Sequence, residues 1–131
     1  MIEEIKNAIF TSLSQNVGVT NQLGNPLRLY DAPVKHAAFP FMFWRRIETK
    51  PIAQDYSSAI EITATLEIVC KNTGQEAAKK AVEAVSLWSQ NAKPNVDGVN
   101  IALLMCAYSD VFRAIDGRTF LGVVRLKVIA E

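Results

Sequence analysis

The side chains able to do chemistry are few, and their spacing suits none of the common reactions. His36 is the sole histidine and lies between Pro33 and Pro40. A zinc site takes three or four His, Cys or carboxylate ligands, and no cysteine is near His36 in sequence, so it reads as a loop residue. Ser57 and Ser58 stand beside Asp55 and Tyr56, but no G-x-S-x-G elbow or base is in sight to activate a hydroxyl, and a solvated loop is the expectation. Gly74, Gly98, Gly117 and Gly122 make neither a Walker pattern nor G-x-G-x-x-G, so no phosphate cradle is supported. Glu61 and Glu67 fall on the polar face of an expected strand, roughly 20 Å apart by strand rise, too far to cooperate as an acid–base pair. They read as surface charges. No catalytic, cofactor-binding or metal-ligating residue is expected.

Arg45, Arg46, Arg113, Arg118 and Arg125 form a different kind of group, because Trp44 and Phe112 adjoin them and Phe120 follows in the same hairpin. Arginine with aromatics is favoured at protein contacts and at single-stranded nucleic-acid surfaces alike. Three readings compete for these eight residues: solvated strand-edge charge, a protein–protein or oligomer interface, and DNA contact. Leu87, pointing away from the apolar stripe of its helix, is either an isolated exposed leucine or a docking residue.

The element that must carry most of these residues is a long β-hairpin over residues 111–126. Its Asp116-Gly117 pair stands between two runs rich in β-branched and aromatic residues, and glycine accepts the positive φ that tight turns require. On the return strand Phe120, Val124, Leu126 and Val128 share one face, while Leu121, Val123 and Ile129 share the other. Neither face is purely polar. Both need cover, and part of it is expected from another copy of the chain.

With 131 residues the chain fits one domain, able to remove roughly 65–70% of its unfolded surface from water. Fourteen Lys and Arg against 13 Asp and Glu give a net charge of +1. No global field therefore recommends nucleic acid or an acidic membrane as principal partner. Cys70 and Cys106 each fall in an expected strand and read as reduced core thiols, as suits a reducing cytosol. Glu3 and Glu4 stand where a signal peptide would be basic, and no apolar run nears the roughly 18 residues of a membrane span. A soluble protein not exported by that route is expected.

Periodicity orders the rest. Ile2, Ile5, Ala8, Ile9 and Leu13 form one apolar stripe of a helix over residues 1–15, with Glu3 and Glu4 at its positive end. Residues 16–35 read as loop, interrupted by a short strand at 27–30. A second strand covers 39–47, with Pro40 at its beginning or on an edge, and the polar residues 48–57 form a mobile loop. Over residues 58–71, Ile60, Ile62, Ala64, Leu66, Ile68 and Cys70 alternate against Glu61, Thr63, Thr65, Glu67 and Lys71, a half-buried strand. Thr73-Gly74-Gln75-Glu76 reads as a capping box opening a helix to about residue 91, whose many alanines let it lie close to the sheet, and Pro94 enforces the stop. Asp97-Gly98 joins a short strand near Val96 to the strand over 100–113. The order predicts an α+β domain: a mostly antiparallel sheet with two helices on one face.

Asp31-Ala32-Pro33, Phe39-Pro40-Phe41, the alternating strand, the Ala-rich helix and the closing block Phe112-Arg113…Asp116-Gly117-Arg118-Thr119-Phe120…Gly122-Val123-Val124-Arg125 together resemble the tail-completion, or tail-terminator, family of long-tailed phages and gene transfer agents. The resemblance spans nearly the whole chain, and the closing block is its most specific part. Phe43-Trp44 departs from it, standing where the family more often has smaller residues ending in glycine. The resemblance implies a non-enzymatic ring, usually hexameric, in the tail of a particle assembled in the bacterial cytoplasm. Its partners would be further copies of itself, the tail tube protein and the head–tail connector, with DNA passing through the lumen unrecognised and no membrane involved. The alternative is a small dimeric ligand-binding or regulatory α+β domain, and a third reading is an enzyme using a loop carboxylate.

Overall fold

The computed structural model describes residues 1–52, 59–71 and 74–131. In chain order the elements are α1 (Ile2–Ser14), α2 (Val17–Leu23), β1 (Leu29–Tyr30), β2 (Phe41–Pro51), β3 (Ile60–Lys71), α3 (Gly74–Asn91), β4 (Ile101–Arg113) and β5 (Thr119–Ala130). They build one five-stranded sheet in the order β1-β2-β3-β5-β4. Only β1 on β2 is parallel; the other three pairings are antiparallel. The class is α+β, with the expected long C-terminal hairpin formed by β4 and β5.

All three helices cover the same face. Ile5, Ile9 and Leu13 of α1, Val19 and Leu23 of α2, and Ala78, Ala81, Val82, Val85 and Trp88 of α3 join one buried cluster. The sheet contributes Met42, Ile62, Ala64, Leu66, Ile68, Cys70, Val124, Leu126 and Val128. The period-two alternation of β3 and β5 is what delivers those residues to one side. Trp88 Nε1 donates to Ser12 Oγ at 2.9 Å and ties α3 to α1. The alanine face of α3 does bring it close to the sheet: a Cβ added at Gly122 would lie 2.5 Å from Val82 Cγ2. Burial pushes the Cys70 thiol up to about 11, so it stays protonated and unreactive. Both cysteines are free, Cys106 being only half-buried.

Three features depart from the sequence reading. There are three helices, because residues 17–23 are helical: the Asn16 side chain accepts from the Val19 amide at 3.0 Å, and Val19 and Leu23 are fully buried. Strand β2 does not stop at Ile47 but continues to Pro51, since Glu48, Thr49 and Lys50 pair with Thr63, Ile62 and Glu61 of β3. Of the expected loop, residues 53–58 lie outside the described residues, as do the Ser57-Ser58 group and the capping Thr73. The strand near Val96 is a single bridge, Val96 to Val99, closed by the Val99 amide donating to the Val96 carbonyl at 3.1 Å.

Candidate assembly interface

The face of the sheet away from the helices is where most of the arginine–aromatic group gathers, and a β-bulge puts it there. Strict alternation along Met42, Trp44 and Arg46 would drive Arg46 into the core. Instead the register shifts between Trp44 and Arg46, leaving Arg45 as the extra residue. Trp44 pairs with Leu66 and Ile47 with Ala64, so both pack against the core. Arg45 and Arg46 then both point to the helix-free face, where Arg45 Nη1 meets Glu67 Oε1 at 2.8 Å and Arg46 Nε meets Glu48 Oε1 at 3.3 Å.

Glu67 is not the surface charge that its place on the polar face suggested. It is 7% exposed, opposite Phe43 and Val123 in neighbouring strands, and its carboxylate is held by Arg45. Burying a carboxylate is costly unless it is paired and hydrogen-bonded, and the bulge supplies that partner. Glu61 fits the surface reading better, with Lys127 Nζ at 3.2 Å.

A shallow trough of about 440 Å³ crosses this face between β2 and β4, lined by Arg45 and Glu67 at one side and Tyr108, Asp110, Phe112 and Arg125 at the other, with Leu121 and Val123 on its floor. Arg125 lies over the Tyr108 ring, 5.0 Å from its centroid. Phe112 is 40% exposed and Tyr108 46%. Beside the trough the rings of Tyr30, Phe39 and Phe43 gather around Phe41 in tilted contacts, with centroids 5.6–6.4 Å from its own. The apolar side chains on this face of the hairpin therefore remain half-open within one chain.

The eight residues singled out by sequence do not form one site. Arg45, Arg46, Phe112 and Arg125 share the helix-free face. Trp44 and Phe120 turn their rings to the other side, packed against the core, with Lys6 Nζ 5.5 Å from Trp44 and the Arg113 guanidinium 5.3 Å from Phe120. Arg118 stands in the hairpin turn. Sequence reasoning passed over Tyr108 and Asp110, whose alternation with Phe112 along β4 was the available signal, and Ile115, fully exposed at the turn. Leu87 is 55% exposed.

The turn itself is longer than a two-residue hairpin. The strands end at Arg113 and resume at Thr119, with the Ala114 amide donating to the Thr119 carbonyl at 2.8 Å and Gly117 at φ +73°. Asp116 organises it: its carboxylate accepts from the Thr119 hydroxyl at 2.7 Å and from the Arg118 and Thr119 amides at 2.9 and 2.8 Å. These bonds, the Thr119 hydroxyl first, hold the carboxyl at about 2 against an ordinary 3.8. Because the folded value is depressed, the contribution of these bonds is complete above the ordinary value and is lost as pH falls from about 4 to 2. The difference in melting temperature between wild type and Asp116→Asn should therefore be constant near neutrality and shrink across that window. A difference that persists at pH 2 would contradict the assignment.

Among the described residues no helix is long and apolar enough to cross a membrane, and no group of three or more His, Cys, Asp or Glu converges as a metal site would. One covered face, one bare face and an arginine–aromatic trough define a structural sheet-and-helix module. The profile of the family described as Tail completion protein gp17 matches residues 7–131. The chain belongs to that family and is a structural protein of a phage or phage-like tail. Among solved structures, a chain described as "Virion of native gene transfer agent (GTA) particle" is similar over 94% of this chain and 91% of that one, with a TM-score of 0.82. At 14% identity the likeness is one of fold. No curated protein matches the chain.

Proposed function

We propose that the protein forms a closed ring, six copies in our reading, that ends the tail tube and joins it to the head–tail connector. The observation that carries this is the half-open apolar surface of the hairpin on its helix-free face, in a chain of the tail-completion family. Head-to-tail contacts close into a ring when the rotation per subunit divides the circle, and such contacts use two different surfaces of each copy. The protein does no chemistry in this role. Its partners are further copies, the tube protein and the connector. A net charge of +1 suits a lumen through which DNA passes without being gripped.

Arg118 in the exposed turn serves docking more than folding. Its backbone amide holds the turn, but its side chain has no ion pair among the described residues. Arg118→Glu should leave the melting temperature within about 2 °C, as surface substitutions stay within about 0.5 kcal/mol. Attachment to tube protein should fall, read by co-sedimentation with assembled tubes. If the variant unfolds, or docks as well as wild type, the role assigned to the turn is wrong.

A further inference from the structure

Two stretches of backbone edge in this sheet have no partner among the described residues. One is the outer edge of β4, the end strand of the sheet, to which no backbone group of the described residues bonds. The other is the outer edge of β2 beyond its contact with β1. That contact covers only Met42 and Phe43, with the Met42 amide donating to the Arg28 carbonyl, and leaves residues 45–51 free. A free edge is a template for pairing with another chain. Here the two edges lie at opposite ends of one sheet, the arrangement a head-to-tail contact needs.

Level and polarity both match. Following the ladder across the sheet, Arg46 is level with Thr65, Arg125 and Tyr108, and Glu48 is level with Thr63, Lys127 and Met105. The free stretch of β2 therefore stands at the height of residues 101–108 of β4. Strand β2 runs opposite to β3, β3 to β5 and β5 to β4, so β4 runs opposite to β2. Copies related by rotation about an axis along the strands keep their polarity, and β4 of one copy then meets β2 of the next antiparallel, as most of this sheet is paired already. Strand β1 closes the β2 edge at Met42 and Phe43, level with Val111 and Asp110 of β4, and just before that level, beside Arg46 and Ile47, β4 carries its second bulge, between Cys106 and Tyr108. A bulge bends the strand that bears it, which lets the end of the hairpin pass β1.

Charge fits as well. Asp110, on the helix-free face of β4, accepts from the Tyr108 hydroxyl at 3.3 Å and from the Val111 amide, and has no ion pair among the described residues. The bulge in β2 sets two arginines on that same face, Arg45 and Arg46, at 59% and 70% side-chain exposure. Diagonal neighbours across a strand pair are within reach of long side chains.

We propose that the free edge of β4 on one copy pairs antiparallel with residues 45–51 of β2 on the next, so that one sheet runs through the whole ring and Asp110 faces the neighbouring arginine pair. This rests on the ring reading, and the experiment separates the two. Met105→Cys and Glu48→Cys are combined on a Cys106→Ala background, mixed with tube protein, imaged, and treated with a short thiol-reactive cross-linker. The paired edges give a ladder of covalent multimers ending at the ring size, and either single cysteine gives none beyond dimer. Rings in the images without a ladder overturn the edge pairing and leave the ring intact. No rings from wild type under these conditions overturn both. As a second readout, Asp110→Arg and Arg46→Asp should each weaken ring assembly by about tenfold or more, and the double variant should recover most of that loss. Additive losses would mean that the two residues do not meet.

Discussion

Leu66→Ala is expected to lower the stability of the protein by about 2–5 kcal/mol, the range for a large-to-small change in a closed core. Leu66 is fully buried at the centre of β3, between Trp44 of β2 and Val124 of β5, in the cluster that holds all three helices to the sheet. The core there is built from both neighbouring strands and from helices, so it has little freedom to collapse around the missing atoms. Denaturant unfolding followed by circular dichroism measures the loss. A cost below about 1 kcal/mol, the size of a surface change, would mean that this face of the sheet is not the core.

A comparable effect of opposite kind is expected at Gly122. The residue lies on the core face of β5 directly under α3, and an added Cβ would meet Val82 Cγ2 at 2.5 Å, with Ile68 Cβ at 3.4 Å and the Ala78 carbonyl at 3.8 Å. The methyl of a valine cannot swing away as the end of a lysine would, so helix or strand must shift. Overpacking of this sort costs about 1–3 kcal/mol for Gly122→Ala. Val82→Ala opens the space, and the double variant should be clearly more stable than the sum of the two single losses predicts. Strict additivity would show that helix and strand do not touch there. The same contact accounts for the glycine at position 122 of β5: Val82 of α3 occupies the space that a side chain there would take.

What the sequence could disclose follows from the range of the forces involved. The alternation in β3, the apolar stripe of α1 and the Ala-rich face of α3 are local periodicities repeated over a dozen residues, and each element lies where its pattern puts it. Helix α2 is only seven residues long, fewer than two full turns, so its period was masked by Gly18 and Asn21, and its stability comes from the Asn16 cap and from Val19 and Leu23 reaching the core. The polar end of β2 has no strand pattern of its own and is strand because β3 templates it. The bulge at Arg45 is likewise a tertiary event: two consecutive arginines reach one face only because Trp44 and Ile47 both have to reach the other. For that reason the interface residues were legible as types and not as a site. Arg45, Arg46, Phe112 and Arg125 converge, whereas Trp44 and Phe120 belong to the core side. Tyr108 and Asp110 became visible once β4 was registered against β5.

The same register bears on assembly. A hairpin with apolar side chains on both faces has one of them sealed by α3 and the other left half-open, and β4 ends the sheet with its backbone unpaired. In the ring proposed above, a second copy meets both needs at once, and closure lets every copy meet them.

The mass of the particle that forms when the purified protein is mixed with tail tube protein tests this most directly. Light scattering across a wide concentration range, with negative-stain imaging of the same samples, should show a closed ring one subunit deep, seated at the end of the tube or free beside it. A dimer that persists at every concentration, with and without tube protein, would contradict the account and restore the reading of a small two-copy binding domain.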